Sequence, residues 1–99
     1  MKNQLDNLKR NLSSSLSKVI VQLNQYENIL DKNKDQIQIA KKKTTEEIKL
    51  YNNGRGQLTF VILSRDEEQA AELSYLTNAV IYQKLRIQYY ALTDQLIAM

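Results

Sequence analysis

The sequence contains no cysteine, no histidine, no proline and no tryptophan, and only two of its 99 residues are glycine. Each absence removes a class of answer. Without cysteine there are no disulfides and no thiolate metal sites. Without histidine the commonest general base and the commonest nitrogen ligand for a metal are both missing. Without proline, and with Gly54 and Gly56 almost adjacent, a helix meets only one natural interruption along the whole chain. No apolar run has the length of a membrane-spanning helix. The first twenty residues, MKNQLDNLKRNLSSSLSKVI, also lack the continuous apolar centre of a secretory signal. The expectation is a soluble chain that does not itself insert into a membrane.

What is present, 42% hydrophobic and 25% charged residues, predicts an all-α fold: an antiparallel two-helix coiled-coil hairpin forming one domain. The expected bounds are a helix over about 3–52, a turn over about 53–58 and a helix over about 59–97. Catalysis, a cofactor and a metal site are not expected. A seam between only two helices cannot enclose its apolar groups, so further helices are needed to cover them. For the chain alone, the simplest arrangement is an antiparallel four-helix dimer.

In the first half Leu5, Leu8, Leu12, Leu16, Val19, Leu23, Tyr26, Leu30, Ile37 and Ala40 recur at steps of three and four, with Asn33 in one slot. That is a coiled-coil stripe. The second half carries Leu73, Leu76, Val80, Ile87, Tyr90 and Ile97, interrupted by Gln83 and Asp94. It also carries Tyr75, Tyr82 and Tyr89 at heptad spacing, and Ile81, Leu85 and Leu92 in a further sector. A helix apolar on several sides needs neighbours on several sides. The helix-packing residues expected from these stripes are Leu12, Val19, Leu23, Leu30, Ile37, Leu73, Leu76, Val80, Ile87 and Tyr90.

Between the halves lies Tyr51-Asn52-Asn53-Gly54-Arg55-Gly56-Gln57-Leu58-Thr59-Phe60. Gly54 suits the left-handed conformation that ends a helix, and Thr59 reads as the N-cap of the next, with Leu58 and Leu63 as its hydrophobic staple. Folding the chain there sets Leu12 toward Ile97, Val19 toward Tyr90, Leu30 toward Val80 and Ile37 toward Leu73. The same register brings Lys41, Lys42 and Lys43 to Asp66, Glu67 and Glu68, so apolar and charged patterns agree.

Charge is uneven: residues 1–53 carry ten Lys/Arg against six Asp/Glu, and residues 54–99 four against five. The lysine run is short, is flanked by Glu46 and Glu47 and lacks interleaved aromatics, so no nucleic-acid partner is expected. The acidic run with Glu72 reads as a solvated, paired helix face and not as a carboxylate metal site. Gly54-Arg55-Gly56 lacks the preceding strand and the Lys-Ser/Thr of a phosphate loop, and reads as a turn. The tyrosine series reads as packing, with hydroxyls that need partners at the edge of a groove.

The stretch YNNGRGQLTFVILSRDEEQAAELSYLTNAVIYQKLRIQYYALTDQL resembles the TolC-like outer-membrane efflux protein family. That family has a Tyr-x-x-Gly turn leading into a long Ala-, Leu- and Tyr-rich helix. Tyr51, Gly54, Val61, Ile62, Glu72, Leu73 and Tyr75 fall in step with it. The resemblance covers residues 45 to 97 and is only compositional before that. It implies a trimeric channel of the bacterial outer membrane whose protomers contribute long helical hairpins to a periplasmic α-barrel. Hairpin tips in such channels meet an adaptor (membrane-fusion) protein. This chain would be one such hairpin, from the second repeat, and would be an excised segment with its own start Met.

On the same resemblance Tyr51, Gly54, Arg55, Gly56, Leu58, Thr59 and Phe60 are the expected tip and adaptor-docking residues. Where the family places aperture-lining carboxylates and an Arg, this sequence has Phe60, Leu63 and Gly56, with its Arg one place earlier at Arg55. The alternative expectation is a free-standing coiled-coil scaffold or adaptor hairpin that binds partner helices.

Overall fold

A computed structural model describes residues 2–98 of the chain. Among them there are two elements, α1 (Lys2–Asn52) and α2 (Leu58–Ala98), packed against each other as an all-helical hairpin with no strand. The molecule divides into two units: a turn unit, Ile29–Ala79, and a terminal unit, Met1–Asn28 with Val80–Met99.

In the turn unit the seam mixes aliphatic side chains with small and polar ones. α1 turns inward Leu30, Asn33, Ile37, Ala40, Thr44 and Ile48; α2 turns inward Val61, Ser64, Ala71, Tyr75 and Asn78. Asn33, Thr44 and Ser64 are the buried polar residues among those described. A buried polar group is tolerated only when hydrogen-bonded, and two of the three have assigned partners. The Asn78 amide donates to the Asn33 oxygen at 2.8 Å across the seam, and the Asn33 amide donates to Gln36 at 3.3 Å. Thr44 returns its hydroxyl to the Ala40 carbonyl at 3.0 Å. On the surface Lys43 Nζ lies 3.0 Å from Glu67 Oε2, both more than half exposed. The expected register therefore holds here, although an exposed ion pair adds only ~0.2–1 kcal/mol.

In the terminal unit the seam is larger-grained. Leu12, Leu16, Val19, Leu23 and Tyr26 of α1 are buried or half-buried, as are Ile81, Tyr82, Leu85, Tyr89, Leu92 and Leu96 of α2. Val19 and Leu85 are the most enclosed, at 7% and 8% exposure. Tyr82 donates its hydroxyl to Glu27 at 2.9 Å, a second tie in the same register.

One part of the sequence reading needs correction. Leu12, Val19, Leu23, Leu30 and Ile37 do lie on the seam, but Leu73, Leu76, Val80, Ile87 and Tyr90 do not. They are 65%, 59%, 55%, 68% and 56% exposed, as is Ile97, so the facing pairs drawn for Ile97, Tyr90, Val80 and Leu73 fail. The register is right and the face is wrong. α2 is rotated so that its tyrosine stripe meets α1, for a physical reason: many seam positions of a two-helix hairpin border solvent, and tyrosine can bury its ring there while its hydroxyl stays wet.

Candidate functional site: the turn and its exposed apolar residues

The turn is fixed by backbone hydrogen bonds and two glycines. Gly54 has φ +73°, the left-handed region open to glycine at least cost. With Gly54 in that position the Arg55 amide donates to the Leu50 carbonyl at 2.8 Å and the Gly54 amide to the Tyr51 carbonyl at 3.0 Å. These two bonds are the six-to-one and five-to-two pair of a Schellman end. The Gly56 amide donates to the same Leu50 carbonyl at 3.0 Å.

The two glycines serve different needs. A Cβ at Gly54 would meet no atom within 4 Å, so its requirement is conformational. At Gly56 a Cβ would stand 2.9 Å from the Tyr51 nitrogen and 3.1 Å from the Leu50 carbonyl carbon. Its requirement is space against backbone, which cannot move aside cheaply.

This tight reversal starts α2 one residue earlier than the sequence suggests. The Gln57 carbonyl accepts from the Phe60 amide at 3.1 Å and from Val61 at 3.4 Å, so Gln57 occupies the cap position. Thr59 lies within the first turn of α2 and is not its N-cap. The staple goes with it: Leu58 and Leu63 are 52% and 50% exposed.

Around the closed backbone stand Leu50, Tyr51, Leu58, Phe60, Ile62 and Leu63, each between 42% and 52% exposed. Arg55 is exposed among them. Such a concentration of half-exposed large apolar groups at a chain reversal is a surface that other protein can cover. Val61, between Phe60 and Ile62, is 7% exposed and belongs to the seam.

Other sequence features resolve into structure. Lys43 pairs with Glu67, and Lys41 faces a shallow groove shared with Arg65, Glu68 and Glu72, where both signs are mixed. Among the described residues no group of three acidic, His or Cys side chains is placed to hold a metal, and no helix is long and apolar enough to cross a membrane. Tyr75, Tyr82 and Tyr89 are half-buried along the seam. The Tyr82 hydroxyl titrates above its ordinary 10.0 because it donates to the Glu27 carboxylate, with burial and that charge adding in the same direction. The Asn33–Asn78 bond was half visible in the sequence, as a polar slot in the first stripe. Asn78 itself gave no signal, because its face of α2 was not the one expected to meet α1.

Comparison with protein-family models, with curated proteins and with solved structures gives no match.

Proposed function

We propose that this hairpin is a periplasmic α-barrel segment of a TolC-like outer-membrane efflux or type I secretion channel, forming conduit wall and meeting an adaptor protein at its turn. The observation that carries this reading is the turn. The chain reverses at the Tyr51-x-x-Gly54 motif on which the resemblance rests, and large apolar side chains stand half-exposed around it. Arg55 adds an exposed cation in the turn itself. Apolar anchors at the centre of a small interface tend to carry most of its energy, so Phe60 is the residue on which docking depends most. The role is structural and involves no catalytic step or cofactor, and in the channel the copies would form a trimer.

The test uses the full-length channel protein that carries this hairpin. Phe60→Ser with Arg55→Glu is expected to leave helicity and melting nearly unchanged, since surface substitutions stay within ~0.5 kcal/mol. Efflux or secretion is expected to fall. Normal transport by a stably expressed double variant would refute the docking role. The second reading, a free-standing scaffold hairpin, is favoured by the exposed aliphatic face of α2. A parent gene encoding a signal peptide and two sets of alternating strands decides for the channel.

A further inference from the structure

The terminal unit leaves uncovered one face of α2 that is patterned as a coiled-coil seam. Val80, Ile87, Tyr90 and Ile97 are 55%, 68%, 56% and 78% exposed, and Gln83 and Asp94 fill the remaining slots of the same three-four repeat.

We propose that this face is an interface between two copies of the chain, paired antiparallel about a twofold axis near Gln88 and Tyr89. Polar slots match polar slots in this pairing. In antiparallel packing, with the two kinds of core slot facing each other, one register sets Val80 on Ile97, Ile87 on Tyr90 and Gln83 on Asp94, each pair occurring twice by symmetry. The two interruptions of the stripe thus fall on each other, and the Gln83 amide can donate to the Asp94 carboxylate. A slip of one heptad sets Gln83 on Ile87 in one direction and Asp94 on Tyr90 in the other. Parallel pairing sets Asp94 on Asp94. In the matched register the flanking cations, Lys84 and Arg86, face Ala91 and Thr93, so no like charges oppose. The pairing rests on the terminal unit and does not depend on the turn or on the channel reading.

The experiment is analytical ultracentrifugation of the chain at tens of micromolar, with helicity followed by circular dichroism. The unaltered chain is expected to be a dimer. Gln83→Asp places two carboxylates together at two symmetric positions and should weaken the dimer by at least ~10-fold. Gln83→Asp combined with Asp94→Gln re-creates the same two pairs in reverse and should restore the dimer to within ~3-fold of the original. If either variant loses helicity, the Gln83→Cys, Asp94→Cys chain gives an independent measure. It holds no other thiol, and oxidation should join two copies covalently. A monomeric chain would assign this face to a different partner and overturn the proposal. An unaltered affinity in Gln83→Asp, failure of the double exchange to restore it, or no covalent dimer would overturn it equally.

Discussion

The turn unit and the terminal unit solve the same problem, holding two helices in one register, by different means. The turn unit sets Ala40, Thr44, Ser64 and Ala71 among Leu30, Ile37, Ile48 and Val61, closes a Schellman turn and spans its seam with the Asn33–Asn78 bond. The terminal unit has no turn of its own and fills its seam with Leu12, Leu16, Val19, Leu23, Ile81, Leu85 and Leu92. Small residues and a directional hydrogen bond specify position but remove little apolar surface from water. Large aliphatic groups remove more surface and specify less, since one leucine packs on another in several registers. Geometry is thus set near the turn, while much of the stability of the terminal unit comes from burial.

The largest expected effect tests the burial half of that contrast. Leu85 is 8% exposed, and Leu85→Ala should cost ~2–4 kcal/mol, because buried leucine truncation loses transfer energy and leaves a cavity. Amide hydrogen exchange should then quicken in residues 1–28 and 80–98 and change little in 29–79. Equal acceleration in both units would show that they unfold as one and erase the distinction.

A smaller effect tests the specification half. Asn33→Leu strands the Asn78 amide in a half-buried seam, and the loss should be about 1–2 kcal/mol by denaturant titration. Replacing both asparagines with leucine removes both polar groups and should recover that loss or exceed the original stability, as often happens when a buried polar pair becomes apolar. The recovered stability should come with a less unique register, seen as extra cross-peaks in amide spectra. A stable double variant with one sharp set of signals would show that the turn alone fixes the register.

The same contrast explains what could be read from the sequence. α1 has one dominant apolar stripe, so its inward face from Leu12 to Ala40 was legible residue by residue. The antiparallel order and the Lys43–Glu67 pairing followed from charge and from the single break at Gly54. α2 has more than one apolar stripe, and period alone cannot choose between them. The aliphatic one, through Leu73, Val80 and Ile87, looks more like a core than Ser64, Asn78 and three tyrosines do. A two-helix seam inverts that preference: many of its positions are only half-buried, which suits tyrosine, and the more aliphatic face is left exposed. Thr59 misled for a local reason. The N-cap preference was sound chemistry, but the Gln57 carbonyl already accepts from Phe60 and Val61, so the helix starts before Thr59, and a backbone acceptor leaves no mark on the sequence.

The smallest effect belongs to Tyr82, the point where the terminal unit borrows the turn unit's method and ties its helices with a cross-seam hydrogen bond. The hydroxyl donates to Glu27, and its pKa is raised above 10.0 chiefly by that bond. A raised folded-state value means that the unfolded tyrosine gives up its proton first. The contribution is therefore complete below pH 10.0 and disappears as the pH climbs through the higher folded value. At the same time the new phenolate repels the carboxylate it faces. The hairpin should lose stability in this alkaline window more steeply than a Tyr82→Phe variant, in which there is no proton to lose, and the two should differ little at neutral pH because the bond is exposed. Lysine deprotonation in the same range affects both chains alike, so the difference between their denaturation midpoints isolates Tyr82. Parallel curves for the two chains across that window would mean that water, and not Glu27, holds the hydroxyl.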